Sequence, residues 1–362
     1  MKLGLVGLPN VGKSTLFNAV MRGRAESANY PFSTVAPNVG IVPVPDARLS
    51  VLEDMYKPKA VTPAVIEMVD IAGLVQGSGQ GQGMGNQFLS HIREVDAIVH
   101  VVRIFEDENV THAYENIDPL RDIEVINLEL VIADLEVVER RLSKSGKSNK
   151  NDKLYPREPE VLNILQEAFQ EGKSARHIKW DNSDDEKFVE SLNLLTGKPM
   201  LYAANIKEDQ ITGTNEHVQK VEAFAEDEGS KVFPICAKIE EEMAALDPEE
   251  KDMFLQELGL EQGGLDRLIT AGYELLGLIS FLTAGPKEVR AWTIRKGLKA
   301  HQAAGKIHSD LERGFIRAEV VAFEDLERLG SYNKAKESGL VRVEGKEYIV
   351  KDGDVVLVRF NV

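Results

Sequence analysis

A glycine-containing segment near the start of the sequence has the residue types needed to bind a phosphate chain. Residues 7–14 read GLPNVGKS and match the pattern G-x-x-x-x-G-K-[ST]. Gly7 and Gly12 let consecutive backbone N–H groups turn toward phosphate oxygens, and a helix beginning near Lys13 adds the positive end of its dipole. Lys13 can then reach the β- and γ-phosphates, and the Ser14 hydroxyl can bind Mg²⁺. The segment therefore predicts a site for Mg²⁺ and a nucleoside triphosphate.

Two further segments supply candidate metal ligands. Asp70 ends a short apolar run, and such an aspartate holds Mg²⁺, usually through water, while the N–H of Gly73 can sense the γ-phosphate. Upstream, the segment YPFST at residues 30–34 offers the hydroxyl of Thr34 as a second ligand. Ser14, Thr34 and Asp70 are therefore the predicted Mg²⁺ ligands.

A later segment bears on which base the site accepts. Proteins that bind GTP read guanine with N-K-x-D, in which the aspartate accepts two hydrogen bonds from the base and the lysine stem packs on it. Residues 205–208 read NIKE here, so Ile206 stands in the lysine position and the longer Glu208 in the aspartate position. A site that relies on polar pairing loses discrimination when its geometry changes, and we expect weakened guanine selectivity and acceptance of adenine. The residues expected around the base are Asn205, Ile206, Glu208 and, in a second loop, Cys236 and Ala237.

The residue that usually orients the attacking water is replaced. Ras-like enzymes use a glutamine for this purpose, whereas Leu74 occupies that position here and has neither a donor nor an acceptor. The glycine-rich loop at residues 77–85 is expected to become ordered when a γ-phosphate or a partner binds. His112, in a polar stretch after the strand ending at Val102, is a candidate water-orienting group or base. The alternative is a solvated surface histidine.

Composition narrows the class of protein. The 362 residues carry a formal net charge of −16, and no apolar run approaches the ~18 residues that span a bilayer. Because binding to a DNA backbone depends on Lys and Arg, a strongly acidic chain is not expected to bind DNA. Because it lacks a long apolar run, it is not expected to bind a membrane. The single cysteine, Cys236, excludes an intramolecular disulfide framework and fits a reducing cytoplasm.

Short apolar runs that alternate with helical patterns predict an α/β fold with a mostly parallel sheet. Each run precedes a loop or a helix start, which is typical of buried parallel strands. A nucleotide-binding domain is therefore expected at residues 1–120 and 199–278. The predicted strands are Leu3–Val6, Val65–Val69, Ala97–Val102, Met200–Ala204 and Val232–Ile235.

Residues 121–198 interrupt this alternation. Apolar residues recur at helical spacing from Val125 to Leu142, a returning helix follows a polar break, and a third helix is predicted to begin at Ser183. We expect an inserted helical hairpin, and the alternative is that these helices merely cover the sheet.

Residues 279–362 are predicted to form a small separate α+β domain. Their short alternating segments end in two predicted strands, Tyr348–Val350 and Val355–Phe360, joined by a tight turn.

Taken together, these residues resemble the YchF subfamily of the Obg-related P-loop NTPases. The resemblance extends over essentially the whole chain and rests on the segments GLPNVGKST, YPFST, DIAGLVQGSGQGQGMGNQFL, DIEVINLEL and NIKE. A glycine-rich segment after DxAGL and an NxxE motif seldom occur together elsewhere. The family implies an ATP-preferring hydrolase with a coiled-coil insertion, a ubiquitin-like TGS domain at the C-terminus, a cytoplasmic location and association with the ribosome.

The resemblance also assigns roles to individual residues. His112 falls where the family places its proposed catalytic histidine, and Lys13 is the other catalytic candidate. Asn10 resembles the residue that recruits potassium in related GTPases, so a K⁺ requirement is a hypothesis. The residues implied to contact phosphates are Asn10, Val11, Gly12, Lys13, Ser14 and Thr15.

Two clusters of basic residues are candidates for docking on structured RNA, because an acidic chain must meet phosphates through local basic patches. The alternative is ordinary solvated helix charge. The tip cluster, near the predicted hairpin tip, contains Arg140, Arg141, Lys144, Lys147, Lys150, Lys153 and Arg157. The C-terminal cluster contains Lys287, Arg290, Arg295, Lys296, Lys299 and Lys306.

Three functions compete at this point. The expected one is a slow Mg²⁺-dependent ATPase that acts as a nucleotide-controlled switch and binds the ribosome. The second is a GTPase switch with ordinary guanine preference, and the third is a phosphotransferase or a scaffold that does not hydrolyse nucleotide. The sequence has no lid or substrate-pocket signature of a kinase, which ranks the third function last.

Overall fold

The fold is seen in a computed structural model that describes residues 1–22, 38–72, 82–107, 110, 114, 116–145, 155–211, 213 and 215–361. The chain forms two compact units. The first comprises Met1–Gly40 and Glu67–Leu268, and the second comprises Ile41–Ile66 and Ile269–Val362. None of the helices within the described ranges is both long enough and apolar enough to cross a bilayer.

A six-stranded sheet organises the nucleotide-binding part of the chain. Its strand order is β2-β4-β1-β5-β6-β7, and neighbouring strands from β4 to β7 run parallel. The edge strand β2 is antiparallel, because Asn38 O accepts from Asp70 N while Val44 N donates to Ala64 O. The predicted mostly parallel α/β sheet is confirmed. Its strands are β1 (Lys2–Val6), β2 (Val39–Pro43), β4 (Val65–Asp70), β5 (Ala97–Arg103), β6 (Met200–Asn205) and β7 (Lys231–Ile235).

These strands are apolar because helices cover the sheet. Every residue of β5 and β6 is buried, which explains why they read as continuous apolar runs instead of alternating patterns. The helices of this part of the chain are α1 (Lys13–Arg22), α3 (Gln82–Arg93), α4 (Pro119–Ser145), α5 (Glu158–Gln170), α6 (Ser183–Ser191), α7 (Glu216–Asp227), α8 (Ala237–Met243), α9 (Pro248–Glu257) and α10 (Gly264–Leu275).

The inserted region forms a small core of its own. Helix α4 packs against α5, and Val138, Leu162, Leu165 and Phe169 are buried together between the helices. Helix α6 begins at Ser183 as predicted, and the side chain of the preceding Asn182 caps it by accepting a hydrogen bond from Asp184 N.

Asp134 anchors α4 to the segment that precedes β6. Its buried carboxylate accepts bonds from Leu195 N at 2.9 Å and from Thr196 N and Oγ1, both at 2.7 Å. A buried carboxylate is costly unless it is satisfied in this way. Helix α4 is therefore fixed to residues 195–196.

The second unit is built on a mixed sheet of order β11-β10-β12-β8-β9-β3. Strands β10 and β12 pair in antiparallel fashion, and β12 is parallel to β8. The ubiquitin-like TGS and coiled-coil assignments stay predictions. The elements of the second unit are α2 (Arg48–Tyr56), β3 (Val61–Thr62), β8 (Leu278–Ala284), β9 (Val289–Arg295), α11 (Ala300–Ile307), α12 (Ser309–Arg313), β10 (Phe315–Ala322), α13 (Phe323–Leu329), α14 (Tyr332–Glu337), β11 (Arg342–Glu344) and β12 (Asp354–Phe360).

Two details of this unit differ from the sequence prediction. Residues 41–66, predicted to lie in the nucleotide-binding domain, belong here, because β3 pairs with β9. The strand predicted at Tyr348–Val350 is wrong: Ile349 makes only an isolated bridge with Lys299, and β12 takes β10 as its antiparallel partner.

Candidate nucleotide-binding site

The loop between β1 and α1 has the backbone shape of an anion cradle. Asn10 and Gly12 both adopt left-handed conformations, with φ of 62° and 98°. Such residues turn successive N–H groups toward one concavity. A Cβ on Gly12 would lie 2.2 Å from Nδ2 of Asn205, so both the backbone angle and the close approach require glycine.

Three side chains at the start of α1 and the end of β4 form the polar centre of this cradle. Lys13 is 8% exposed, and burial lowers the pKa of its ammonium group, an effect that Asp70 partly offsets. Burial raises the pKa of Asp70, while Lys13 and the Ser14 hydroxyl act in the opposite direction. The Ser14 hydroxyl donates to Asp70 Oδ2 at 3.3 Å. Both charges are partly desolvated, and a phosphate chain with a cation would compensate them.

The donor set fits a magnesium ion. The other carboxylate oxygen of Asp70, Oδ1, is buried and has no hydrogen-bond partner among the described residues. A hydroxyl and a carboxylate are the oxygen ligands that Mg²⁺ takes from proteins when phosphates supply the others. The structure therefore brings together Ser14 and Asp70, two of the three predicted metal ligands.

A cavity of about 450 Å³ opens beside the cradle and is large enough for a nucleobase. Thr15 and Gly12 contribute one wall, and Ile206, 4% exposed, contributes an apolar surface. The pocket brings together the predicted base-binding residues Asn205, Ile206, Glu208, Cys236 and Ala237.

Asn205 also connects the two loops that form the pocket. Its Nδ2 donates to the carbonyl of Val11 at 2.8 Å, and its Oδ1 accepts from Ala237 N at 3.1 Å. The side chain is buried and its amide is used within the protein. Asn205 thus holds the phosphate-binding loop to the second base loop.

An ion pair crosses the base pocket. Lys238 Nζ lies 2.5 Å from Glu208 Oε1, and both residues line the cavity. Their side chains are 69% and 48% exposed, respectively. The sequence indicated Glu208 but missed Lys238, because nothing in the spacing shows that two residues thirty positions apart meet.

Arg103 is a second residue that the sequence prediction missed. It is 2% exposed, and its guanidinium donates to the carbonyls of Phe105 at 3.0 Å, Val110 at 3.1 Å and Asp107 at 3.4 Å. These three residues line the base pocket. The available signal was a charged residue ending an otherwise apolar strand.

Helix α8 carries the second base loop and is held by a buried carboxylate. Cys236 precedes the helix, and burial raises the pKa of its thiol. Glu240 accepts from Gly264 N at 2.7 Å, which caps the start of α10. Burial raises the pKa of Glu240 to about 7.

Several predicted site residues lie outside the described residues. These include the metal ligand Thr34, the candidate catalytic residue His112 and the Gly73-Leu74 pair. The same is true of Lys147, Lys150 and Lys153 in the tip cluster. Their roles stay predictions.

Two family models match the chain. A model described as 50S ribosome-binding GTPase matches residues 2–133, which include the phosphate-binding loop and Asp70. A model named YchF-GTPase_C, described as a protein of unknown function, matches residues 278–361. The matches cover the first part of the predicted nucleotide-binding domain and nearly all of the predicted C-terminal domain.

Relatives of known name match over the full length. The chain is 55% identical to a protein of Bacillus subtilis and 50% identical to one of Escherichia coli O157:H7, both named Ribosome-binding ATPase YchF, with at least 99% of each chain covered. The solved structure of the Schizosaccharomyces pombe YchF GTPase superposes with a TM-score of 0.88 at 37% identity, covering 99% of this chain and 97% of that one. With its cradle, base pocket and C-terminal segment matched throughout, the chain belongs to the YchF family.

Proposed function

We propose that the protein is a Mg²⁺-dependent ATPase that converts ATP to ADP and phosphate and acts as a nucleotide-controlled switch on ribosomes in the cytoplasm. The observation that carries the ATP preference is the base pocket. Ile206 and Glu208 occupy the positions that read guanine in GTP-binding proteins, and Lys238 holds the Glu208 carboxylate. A site without free paired acceptors cannot satisfy both donors of guanine.

Ser14 and Asp70, with Thr34, would hold the Mg²⁺ ion. The support is the Ser14–Asp70 hydrogen bond and the Asp70 oxygen that lacks a partner within the described part of the chain. When bound, the ion neutralises negative charge on the phosphates. Lys13 binds the β- and γ-phosphates directly. K⁺ binding through Asn10 is a further hypothesis, which hydrolysis rates in KCl and NaCl would test.

His112 is proposed to orient the attacking water, because Leu74 has no polar group to do so. Arg103 supports this role indirectly. Its guanidinium donates to the carbonyl of Val110 and so fixes the backbone two residues before His112 in the sequence. The variant His112→Ala tests the proposal. A turnover rate unchanged from wild type would remove His112 from the mechanism.

Ribosome binding rests on the names of the relatives and on the two basic clusters. The structure reduces the free charge of both. Arg141 pairs with Glu158, and Arg157 pairs with Glu160 and Asp185 in the tip cluster. In the C-terminal cluster, Lys299 pairs with Glu347. Co-sedimentation with ribosomes at rising salt tests the proposal, and Lys→Glu exchanges at Lys144 and Lys296 should weaken binding.

Base preference is tested by titrating fluorescent ATP and GTP analogues into the protein with Mg²⁺. We expect tighter binding of ATP, and the double variant Ile206→Lys with Glu208→Asp should shift the ratio toward GTP. The alternative, a GTPase switch, is favoured by the name of the Schizosaccharomyces pombe relative. Equal or tighter binding of GTP by the wild type would establish that alternative.

A further inference from the structure

The ion pair between Lys238 and Glu208 joins two separate parts of the base pocket. Glu208 follows β6, and Lys238 lies in the first turn of α8. Their charged groups meet at 2.5 Å, and both side chains line the cavity. The pair therefore lies in the pocket proposed to hold the base.

We propose that Lys238 contributes to base specificity by engaging the Glu208 carboxylate, so that this carboxylate is a poorer acceptor for the two donors of guanine. The inference rests on the proposed nucleotide-binding function and names a residue that decides its selectivity. Lys238 acts through Glu208 and is a positioning residue.

The two bases differ in what they demand from this carboxylate. Guanine presents two neighbouring donors, N1–H and the exocyclic amine, and needs both carboxylate oxygens. Adenine presents one amine donor next to an acceptor nitrogen. With Oε1 engaged by Lys238, only Oε2 keeps both of its acceptor sites, so the second guanine donor would have to share Oε1 with the ammonium group, whereas adenine needs Oε2 alone. The ammonium group also opposes guanine, because it is a donor placed near another donor.

The ammonium group is charged whenever the pocket is in use. Hydrogen bonding to Glu208 raises the pKa of Lys238 above its ordinary value. Lys220 on α7 also pairs with a glutamate, at 2.7 Å from Glu216 Oε1, but it is not one of the residues that line the cavity. Lys220 is therefore a matched control of equal charge outside the pocket.

The test compares affinities for fluorescent ATP, GTP and ITP analogues in single and double variants. Lys238→Met should strengthen GTP binding about two- to fivefold, which corresponds to the interaction energy of an exposed ion pair. The same variant should change ATP binding less than about twofold. ITP, which lacks the exocyclic amine, should gain less than GTP. Lys238→Arg should keep the wild-type ratio, and Lys220→Met, which breaks a similar ion pair outside the pocket, should leave the ratio unchanged.

A double-mutant cycle with Glu208→Gln separates this role from a general effect of charge. In the Glu208→Gln background, Lys238→Met should no longer alter the ratio of ATP to GTP affinity. An unchanged ratio in Lys238→Met alone, or an equal shift in both backgrounds, would overturn the inference. A wild type that prefers GTP would contradict the proposed ATP preference, while the cycle would still report whether Lys238 acts through Glu208.

Discussion

The two ends of the nucleotide site are formed by different kinds of chemical group. The phosphate end consists of backbone N–H groups shaped by Asn10 and Gly12, together with the buried Lys13. The base end depends on Glu208 and Lys238, whose side chains are about half to two-thirds exposed. A backbone cradle binds any triphosphate, whereas side chains can distinguish one base from another. The proposed function therefore places affinity and selectivity at opposite ends of one site.

Asn205 keeps the two ends from being independent. Its two hydrogen bonds, to Val11 and to Ala237, are buried and join one end to the other. The comparison predicts that changes at the phosphate end affect both nucleotides equally, and that changes at the base end affect their ratio.

The largest expected effect follows from Lys13→Ala. Loss of a charge-assisted bond to the phosphates costs about 3 kcal/mol, or roughly a hundredfold in affinity. Isothermal titration calorimetry should show the same loss for ATP and GTP. Lys220→Ala, at an exposed position on α7, is the control and should bind normally. A loss confined to one nucleotide would contradict the division between the two ends.

Asn205→Ala should have the next largest effect. It leaves the Val11 carbonyl and the Ala237 N–H without their buried partner, at a cost of about 2 kcal/mol, or roughly thirtyfold in affinity for both nucleotides. Asn205→Asp keeps the acceptor for Ala237 N but places a buried carboxylate against the Val11 carbonyl, so it should lose at least as much affinity as alanine. Calorimetry with a thermal melt checks both variants, and a selective loss of ATP would show that Asn205 reads the base itself.

Asp70→Asn should weaken nucleotide binding about tenfold in Mg²⁺, the size of effect seen for groups that support a metal from outside its first ligands. In EDTA the variant and the wild type should bind alike. Titrations in both buffers make this measurement. An equal loss in EDTA would mean that Asp70 acts on Lys13 and not on a metal.

Glu240→Gln should leave nucleotide affinity within about twofold and act instead on stability. The folded-state pKa of Glu240 is about 7 against an ordinary value of 4.5, so the folded state retains a proton that the unfolded state loses. The wild-type free energy of unfolding should therefore fall as pH rises from 4.5 to 7, by at most about 3 kcal/mol from this group.

Urea unfolding between pH 5 and 8 measures this slope. Glu240→Gln should remove its share of the slope, and Glu242→Gln, at an exposed position on the same helix, should not. Parallel pH profiles for wild type and Glu240→Gln would show that Glu240 does not titrate in this window.

Local patterns were sufficient for five strands of the first sheet, because each contains a short apolar run. They missed the edge strand β2, in which buried and half-buried residues alternate. They also located the phosphate-binding loop, where Gly12 and Lys13 have a fixed spacing. They failed at the Tyr348–Val350 strand, since an apolar run cannot show which partner it pairs with. Arg103 and Lys238 were not predicted for a related reason: their roles arise from contacts that exist only when the chain is folded.

The carboxylate of Asp134 has a mechanical consequence. Helix α4 continues beyond it for about 16 Å, at a rise of about 1.5 Å per residue. Any displacement of that far end must either bend the helix, break three buried hydrogen bonds or pull on residues 195–196, a few residues before β6. Strand β6 delivers Asn205 to the site. The Asp134 hydrogen bonds thus give the distal half of α4 a short covalent and hydrogen-bonded connection to the strand that carries Asn205.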